Sequence, residues 1–489
     1  MFNAALLSMA MLTSADVPRE FRGVWVATVD NIDWPSTRNL KVEDQKKELL
    51  AIVNRAQQLK MNVIVLQVRP SADALYKSSY EPWSVYLTGK PGVGPNPSWD
   101  PLEYAIELCH ARGMELHAWF NPYRAWHPAA KTSPNSTHIA KTRPNSVRTY
   151  GTYLWMDPSD PFVQKRSLDV MLDVVKRYDV DGIHMDDYFY PYPVTDENKK
   201  KIDFPDAENF QAYVKSGGKL AKNDWRRKQV DDFVEKLYKG MKAIKPHVQF
   251  GISPFGIYRP GVPETIKAGI DQYDELYADC KKWLEKGWCD YMTPQLYWPI
   301  AQTPQSYPVL LKWWLSVNPK KRHIIPGNYT GQVGQAANWA TQEIVDQIET
   351  TRKLGAKGNV HFSMKVFMRD SKGINSVLKE GPYSKMSIPP ASPWLIKDTV
   401  PAPSNVTVPS QQPQDAFRVS FKKPSQDYRV VLAGETENGL EILLVKPAND
   451  GELVYGAFEI KTPRVNSYKL AFLDRANNLG PWVPVNFRR

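Results

Sequence analysis

The sequence predicts a (β/α)₈ barrel, an α/β fold, followed by a small all-β sandwich. Short apolar runs alternate with longer amphipathic segments from Phe21 to about Gly381, and the apolar runs number eight. Two of the inserts that follow these runs are long and rich in proline, as loops at the carboxyl face of a barrel often are. After Pro382 a proline-rich stretch leads into short segments of alternating apolar and polar residues, which is typical of half-buried strands.

The eight apolar runs are the candidate barrel strands. They are Gly23–Val29, Val63–Val68, Glu115–Phe120, Asp181–Met185, Val248–Ser253, Tyr291–Leu296, His323–Pro326 and Asn359–Ser363. The segments between them have helical spacing: Val42–Leu59, Pro101–Arg112, Phe162–Tyr178, Trp225–Ile244, Tyr273–Lys286, Gln305–Ser316 and Gln335–Lys353. An open doubly wound sheet is the alternative. No Gly-x-Gly-x-x-Gly motif follows the first run, however, so nothing indicates a dinucleotide site.

These patterns divide the chain into four segments. Residues 1–17 resemble a signal peptide without a charged n-region, residues 18–382 form the barrel, residues 383–404 a proline-rich linker, and residues 405–489 the sandwich. The stretch from Tyr468 to Pro481 resembles the last strands of a fibronectin type III domain. We therefore predict an exported protein, periplasmic or at the cell surface, with no transmembrane segment.

Composition narrows the class of partner. The formal net charge of +11 favours anionic partners, but the basic residues are scattered and no recognition helix, zinc module or RNA-binding motif accompanies them. We therefore predict no nucleic-acid partner. Sixteen tryptophans and twenty-four tyrosines fit a carbohydrate-binding surface. The three cysteines, Cys109, Cys280 and Cys289, are predicted to be buried apolar residues.

Polar and aromatic side chains follow nearly every predicted strand. The carboxyl ends of parallel barrel strands meet at one face, where barrel enzymes carry their active sites. A collar of polar groups is costly there unless it binds a ligand. The predicted substrate-binding residues are Asp33, Trp34, Arg69, Asp73, Asn121, Tyr123, His184, Tyr188, Tyr190, Gln295, Tyr297, Trp298 and Tyr329.

Asp186 and Asp187, which follow the fourth strand, are the predicted catalytic residues. A glycosidase needs a group that protonates the glycosidic oxygen and a group that stabilises or attacks the anomeric carbon. Adjacent carboxylates favour substrate assistance, in which the 2-acetamido oxygen of the sugar is the nucleophile. Asp186 would then orient the acetamido group. Asp187 would be the acid/base, because close like charges raise one pKa of the pair.

Strand geometry leaves alternatives open. Alternation places Asp186 and Asp187 on opposite faces unless the strand ends before Asp187. If it continues, Asp186 alone points into the barrel mouth as a direct nucleophile, and its acid would be Asp30, Asp33 or Asp73. A helix cap or loop anchor is the structural alternative for the pair.

Six motifs in the barrel segment resemble one known family. They are Glu20–Val29, Asn31–Ser36, Gln67–Tyr76, His117–Arg124, Asp181–Pro191 and Thr293–Trp298. These motifs resemble glycosyl hydrolase-like family 10, a group of bacterial exported barrel proteins, over roughly residues 18–380. The resemblance implies a glycoside hydrolase and, for some relatives, action on peptidoglycan glycan strands without stem peptides. It places the family's acidic pair on Asp186 and Asp187, and its strand-end residues on Arg69, Asn121 and Gln295.

The sequence thus predicts a glycoside hydrolase for a glycan with N-acetylated amino sugars, with peptidoglycan glycan strands as the expected substrate. One alternative is a hydrolase of another polysaccharide that uses a direct aspartate nucleophile, and another is a non-catalytic glycan-binding barrel. Asp186, Asp187 and His184 have no further ligand at metal-binding spacing, so we predict no metal and no cofactor. The predicted partner is a polysaccharide, and a monomer is compatible with the sequence.

Overall fold

The computed structural model describes residues 17–410, 416–456 and 465–486. Residues 1–16 of the signal-peptide-like segment lie outside the described residues. The described residues divide into one unit of Arg19–Lys397 with Arg475–Asn477, and another of Asp398–Asp474 with Val17, Pro18 and residues 478–486. In the described ranges, none of the helices combines the length and the hydropathy that crossing a membrane requires.

The first unit contains a parallel sheet and a small antiparallel one. Its strands are β1 Phe21–Val26, β2 Val63–Arg69, β3 Glu115–Phe120, β4 Arg124–Trp126, β5 Val147–Tyr150, β6 Tyr153–Met156, β7 Gly182–Met185, β8 Gln249–Ile252, β9 Tyr291–Met292, β10 His323–Ile324, β11 Gly327–Asn328 and β12 Gly358–His361. The parallel sheet has the order β10-β9-β8-β7-β3-β2-β1-β12-β11. Because β10 and β11 are halves of one run, 323–328, the two ends of this order meet and the sheet closes into a barrel.

All eight predicted strands are present in this barrel. Every residue of the parallel strands is buried, because helices cover the outer face and side chains fill the interior. Alternation is visible in β2, where Val63 and Val65 point inward with Trp25 while Ile64 and Leu66 contact the helix layer. The (β/α)₈ prediction is confirmed.

The helices follow the predicted segments. They are α1 Val42–Gln58, α2 Val85–Thr88, α3 Pro101–His110, α4 Ile139–Thr142, α5 Pro161–Arg177, α6 Ala207–Lys215, α7 Lys222–Ile244, α8 Gln272–Glu275, α9 Cys280–Lys286, α10 Tyr307–Ser316, α11 Thr341–Lys353, α12 Met364–Met368 and α13 Ile374–Glu380. The single helix predicted over Tyr273–Lys286 was wrong, because the chain forms α8 and α9 instead. Asp271 and Asp279 cap these two helices separately, and Tyr277 between them has a left-handed φ of 54°.

The second unit is all-β. Its strands are β13 Ala416–Ser420, β14 Arg429–Thr436, β15 Gly439–Pro447, β16 Glu452–Gly456, β17 Ser467–Leu473 and β18 Val483–Val485. They pair antiparallel as the sheets β13-β16 and β15-β14-β17-β18. Val419 and Leu453 from the small sheet share one apolar core with Leu432, Leu444 and Phe472 from the larger sheet. The likeness to a fibronectin type III domain stays a prediction.

Candidate active site

A cleft of ≈ 290 Å³ lies at the carboxyl ends of the barrel strands. Its lining residues come from all parts of the barrel: Trp25, Ala27, Val29, Ile32, Gln67, Trp119, Arg124, His127, Asp186, Asp187, Tyr188, Tyr192, Ser253, Gln295, Tyr297, Tyr329 and Phe362. Aromatic rings therefore surround two carboxylic acids, which are the only ones among the described residues that line this cleft. This location is where barrel enzymes bind their substrates.

The two adjacent aspartates share the cleft because the strand ends before them. β7 stops at Met185, so the alternation of a strand no longer separates Asp186 from Asp187. Both residues are buried: the exposed fraction is 4% for Asp186 and 3% for Asp187. The geometry therefore permits the pair to act on one bound sugar.

Asp186 is held by two N–H donors that follow β3 or lie in it. Trp119 Nε1 donates to Asp186 Oδ2 over 3.2 Å, and Asn121 Nδ2 donates to the same oxygen over 2.5 Å. Burial and then the neighbouring charge of Asp187 raise the pKa of Asp186 to about 7. Because both donors to Oδ2 are N–H groups, that oxygen can only accept, which suits a carboxylate that orients a substrate N–H.

The orientation of the Asn121 amide is determined by its other partners. Gln67 Nε2 and Arg124 Nη2 donate to Asn121 Oδ1 over 2.6 and 2.7 Å, so the Asn121 amine must point at Asp186. The Arg124 guanidinium also lies 5.2 Å from the centroid of the Tyr188 ring. Its positive charge lowers the pKa of Asp186 and so partly opposes the effect of burial.

Asp187 has a different environment. The Tyr192 hydroxyl donates to Asp187 Oδ2. Burial raises the pKa of Asp187, while hydrogen bonds from Tyr192 and Gln295 oppose the increase. A hydroxyl can accept as well as donate a hydrogen bond, so Tyr192 can keep its contact when Asp187 is protonated. Asp187 is therefore the better carrier of the proton that the two close carboxyl groups share.

His184 lies beneath this pair rather than in the cleft. Trp25 Nε1 donates to His184 Nε2 over 3.2 Å, so that nitrogen carries no proton, and Nδ1–H faces the Tyr291 hydroxyl at 3.0 Å. Burial lowers the pKa of His184 well below its usual value. A neutral, fully buried imidazole supports the floor of the site and cannot contact a sugar in the cleft.

Five of the predicted substrate-binding residues line the cleft or touch its acids. Tyr188, Gln295, Tyr297 and Tyr329 line it, and Asn121 binds Asp186 from below. The rings of Tyr297 and Tyr329 have centroids 5.0 Å apart and form one aromatic wall. Such a wall offers an apolar face on which the C–H face of a sugar can pack.

The other predicted binding residues lie elsewhere. Trp34 is fully buried and donates to the Gln45 carbonyl, and Tyr123 packs on Phe233. The remaining residues outside the cleft are Arg69, Asp73, Asp33, Tyr190 and Trp298. The sequence showed that these residues follow strand ends, but it did not show which way their side chains point. A residue after a strand can turn into the loop core as readily as into the cleft.

The alternative acids are also outside the cleft. Asp33 accepts hydrogen bonds from Ala27 N, Ser363 Oγ and Lys365 N, so it ties the ends of β1 and β12 together. Burial raises the pKa of both Asp33 and Asp73 to about 6, yet neither carboxyl group lines the cleft. A direct-nucleophile mechanism that starts from Asp186 therefore lacks the acid that it was expected to use.

Tyr192, Trp25, His127 and Phe362 line the cleft but were not predicted. Tyr192 continues the spacing of Tyr188 and Tyr190, so the run of alternating tyrosines was the available signal. Trp25 lies inside a strand, and nothing local distinguishes its ring from core. Only the closed barrel brings Trp25 and Phe362 to the same cleft.

Arg69 forms a buried ion pair instead of a substrate contact. Its guanidinium contacts the Glu81 carboxylate at 2.5 Å, with both side chains 0% exposed, and donates to the carbonyls of Asn121 and Pro122. Arg69 therefore holds the loop that carries Asn121.

We expect Arg69→Met to lower the free energy of unfolding by ~3–5 kcal/mol, because the buried Glu81 would lose its bidentate partner and keep only Arg166, 3.8 Å away. Urea unfolding measures this loss. Adding Glu81→Leu should restore part of it, since the second substitution removes the stranded charge. Lys165→Met, which breaks the exposed pair with Asp169, should change little. If Arg69→Met and Lys165→Met lower the free energy of unfolding equally, the structural role of the Arg69–Glu81 pair is contradicted.

Comparison with known proteins identifies the family. Residues 20–345 match the family described as glycosyl hydrolase-like 10. The chain belongs to this family. It is a glycoside hydrolase, as the sequence predicted.

The chain is similar to two relatives and to one solved structure. It is 38% identical to the glycosyl hydrolase YngK of Bacillus subtilis (strain 168), over 82% of this chain and 79% of that protein. It is 35% identical to the glycosyl hydrolase DigH of Escherichia coli (strain K12), over 66% of this chain and 76% of that protein. The glycoside hydrolase domain of PgaB from Bordetella bronchiseptica shares the fold, with a TM-score of 0.50 and 15% identity over 74% of this chain and 98% of that domain.

Proposed function

We propose that this glycoside hydrolase cleaves a glycan of N-acetylated amino sugars by substrate-assisted catalysis, and that its substrate is the glycan strand of peptidoglycan. The observation that carries this proposal is the placement of Asp186 and Asp187 side by side in one cleft, with no other carboxylic acid among the described lining residues. A mechanism with a separate enzyme nucleophile needs a second acid at some distance. Substrate assistance needs only a neighbouring pair.

The hydrogen bonds of the pair support a division of roles between the two acids. Asp187 gives its proton to the glycosidic oxygen as that bond breaks, while the acetamido carbonyl oxygen of the substrate attacks the anomeric carbon. Asp186 accepts the acetamido N–H and stabilises the positive charge of the cyclic oxazolinium intermediate. Asp187, now ionised, takes a proton from a water molecule as the oxygen of that water attacks the anomeric carbon; the ring carbon–oxygen bond breaks, the acetamido group re-forms and Asp187 is protonated again.

The rest of the cleft fits a sugar substrate. Tyr297 after β9, Tyr329 after β11 and Phe362 after β12 supply aromatic surface. Gln295 and Arg124 supply hydrogen-bond donors near the acids. The net charge of +11 would also attract an anionic wall polymer and raise its local concentration.

Mass spectrometry of peptidoglycan digests tests this function. The wild type and Asp187→Asn would be incubated with intact sacculi and with amidase-stripped glycan strands. Soluble disaccharide-based fragments should appear only with the wild type. If the wild type releases nothing from either substrate, the peptidoglycan proposal is wrong.

Inhibition by a thiazoline derivative of N-acetylglucosamine tests the mechanism. This compound mimics the cyclic intermediate, so we expect it to bind about a hundredfold or more tighter than N-acetylglucosamine itself. Competition assays with the glycan substrate measure both inhibition constants. A cyclic mimic of glucose that lacks the acetamido-derived ring is the control and should inhibit weakly. Equal inhibition by both compounds would argue for direct attack by Asp186.

A further inference from the structure

A second cavity of ≈ 240 Å³ lies beside the loop that follows β7. Aromatic rings and prolines form much of its wall: Tyr150, Tyr190, Phe204, Tyr277, Pro191 and Pro193. The Tyr190 ring meets the Tyr277 ring edge-on, with centroids 4.8 Å apart, and meets the Phe204 ring at 5.2 Å. The catalytic scheme above uses none of these rings.

One short segment separates this cavity from the active-site cleft. Tyr188 and Tyr192 line the cleft, whereas Tyr190, Pro191 and Pro193 line the second cavity. Six residues of extended chain span at most ~20 Å, so the two cavities are close enough for one oligosaccharide to reach both. Tyr192 also donates its hydroxyl hydrogen to Asp187, so the separating segment touches the proposed acid directly.

The wall of the second cavity is held rigidly at Tyr277. This residue has a φ of 54°, a backbone conformation that a bulky side chain adopts rarely and that often marks a functional position. Arg226 Nη1 donates to the Tyr277 hydroxyl over 2.6 Å, and its guanidinium lies 4.9 Å from the ring centroid. Asp206 fixes the buried guanidinium from the other side, at 2.6 and 2.7 Å. The ring is therefore positioned before any ligand arrives.

The rim of the cavity is polar and its charges are paired. Lys201 pairs with Glu275, Asp203 pairs with Arg226 and Lys222, and Asp274, which is also on the rim, has arginine partners of its own. Paired charges do not select an ion, but their oxygens and amine can bind hydroxyl groups. Aromatic walls with a few polar groups at the opening are suited to a neutral saccharide.

We propose that this cavity is a distal subsite for a saccharide unit of the same glycan strand whose cleaved bond lies in the active-site cleft. The inference rests on the proposed function, since it assumes that the substrate is a glycan strand. A strand that occupies both cavities would pack against the segment from Tyr188 to Pro193 and hold Tyr192 against Asp187. The enzyme should therefore prefer long strands, and part of that preference should appear in kcat.

The test compares two matched tryptophan substitutions. Ile202 lines the cavity and is 45% exposed, so Ile202→Trp places a large ring in the subsite. Val214 lies in α6, which like Ile202 stands between β7 and β8; it is 49% exposed and does not line the cavity, so Val214→Trp is the control. Turnover of peptide-free glycan oligomers of increasing length is measured for the wild type and both variants. Calorimetric binding of the same oligomers is measured with each substitution in the Asp187→Asn background.

In the wild type, kcat/KM and affinity should rise with oligomer length. Ile202→Trp should reduce the ratio of long-oligomer to short-oligomer kcat/KM by roughly three- to tenfold, and Val214→Trp should leave that ratio unchanged. Turnover without any length dependence, or equal ratios in both variants, would overturn the subsite and leave the proposed function standing. A third outcome is that the wild type shows no turnover, but binding still increases with oligomer length and Ile202→Trp removes that increase. This outcome would support the subsite and overturn the hydrolysis of this glycan. If the wild type does not turn over these oligomers and its Asp187→Asn variant does not bind them, both the subsite and the proposed function are wrong.

Discussion

Asp187→Asn is expected to lower kcat on peptide-free glycan strands by a factor of about 10²–10⁴ while the protein stays folded. The substitution keeps the shape of the side chain, and the amide oxygen of the new side chain can still accept from Tyr192, but no proton can be given to the glycosidic oxygen. Initial rates of reducing-end release measure the loss. Far-ultraviolet circular dichroism shows whether the fold is intact.

A leaving-group series separates an acid from a merely structural residue. Aryl glycosides whose phenols are acidic need no protonation to depart, so Asp187→Asn should lose much less activity on them than on the natural strand. Asp30→Asn is the control, because Asp30 is 56% exposed at its side chain and pairs with Arg38 outside the cleft. If Asp30→Asn loses as much activity as Asp187→Asn, Asp187 is not the acid. The same conclusion follows if the loss of activity in Asp187→Asn is equal for every leaving group.

Asp186→Asn is expected to stabilise the protein while it inactivates the enzyme. Burial and the Asp187 charge raise the pKa of Asp186 from 3.8 to about 7, so the folded state binds the proton that Asp186 and Asp187 share more tightly than the unfolded chain binds a carboxyl proton. The contribution of Asp186 to stability is thus full below pH 3.8 and is lost as the pH rises through about 7. Replacing the carboxyl group removes this loss, so the variant should gain roughly 2–4 kcal/mol over the wild type at alkaline pH.

Urea unfolding at acidic and alkaline pH measures this effect. The difference in free energy of unfolding between Asp186→Asn and the wild type should be small in acid and should grow as the pH rises through about 7. Asp30→Asn is the control for replacing a carboxylate by an amide at an exposed position outside the cleft. If this difference in free energy of unfolding is the same at every pH, burying the charge of Asp186 does not destabilise the protein.

The local sequence was sufficient to predict the barrel. Each parallel strand is buried on both faces, so it reads as a nearly continuous apolar run such as Val63–Val68, which only Gln67 interrupts. The helices between the runs keep an amphipathic period. The helix over Tyr273–Lys286 was mispredicted because its apolar spacing is helical throughout. The cap at Asp279 ends that continuity through a side-chain contact that spacing does not reveal.

The sequence by itself determined the order of the strands and the position of Asp186 and Asp187 after the fourth of them, since both follow from the local pattern of apolar and acidic residues. Tertiary structure alone decided which neighbouring side chains reach the cleft. Tyr192 turns toward Asp187, while Tyr190 packs on Tyr277, which is distant in the chain. Arg69 turns away because Glu81 lies buried beside it. The direction of a side chain after a strand depends on the partners that the closed barrel brings near, and local sequence carries no record of them.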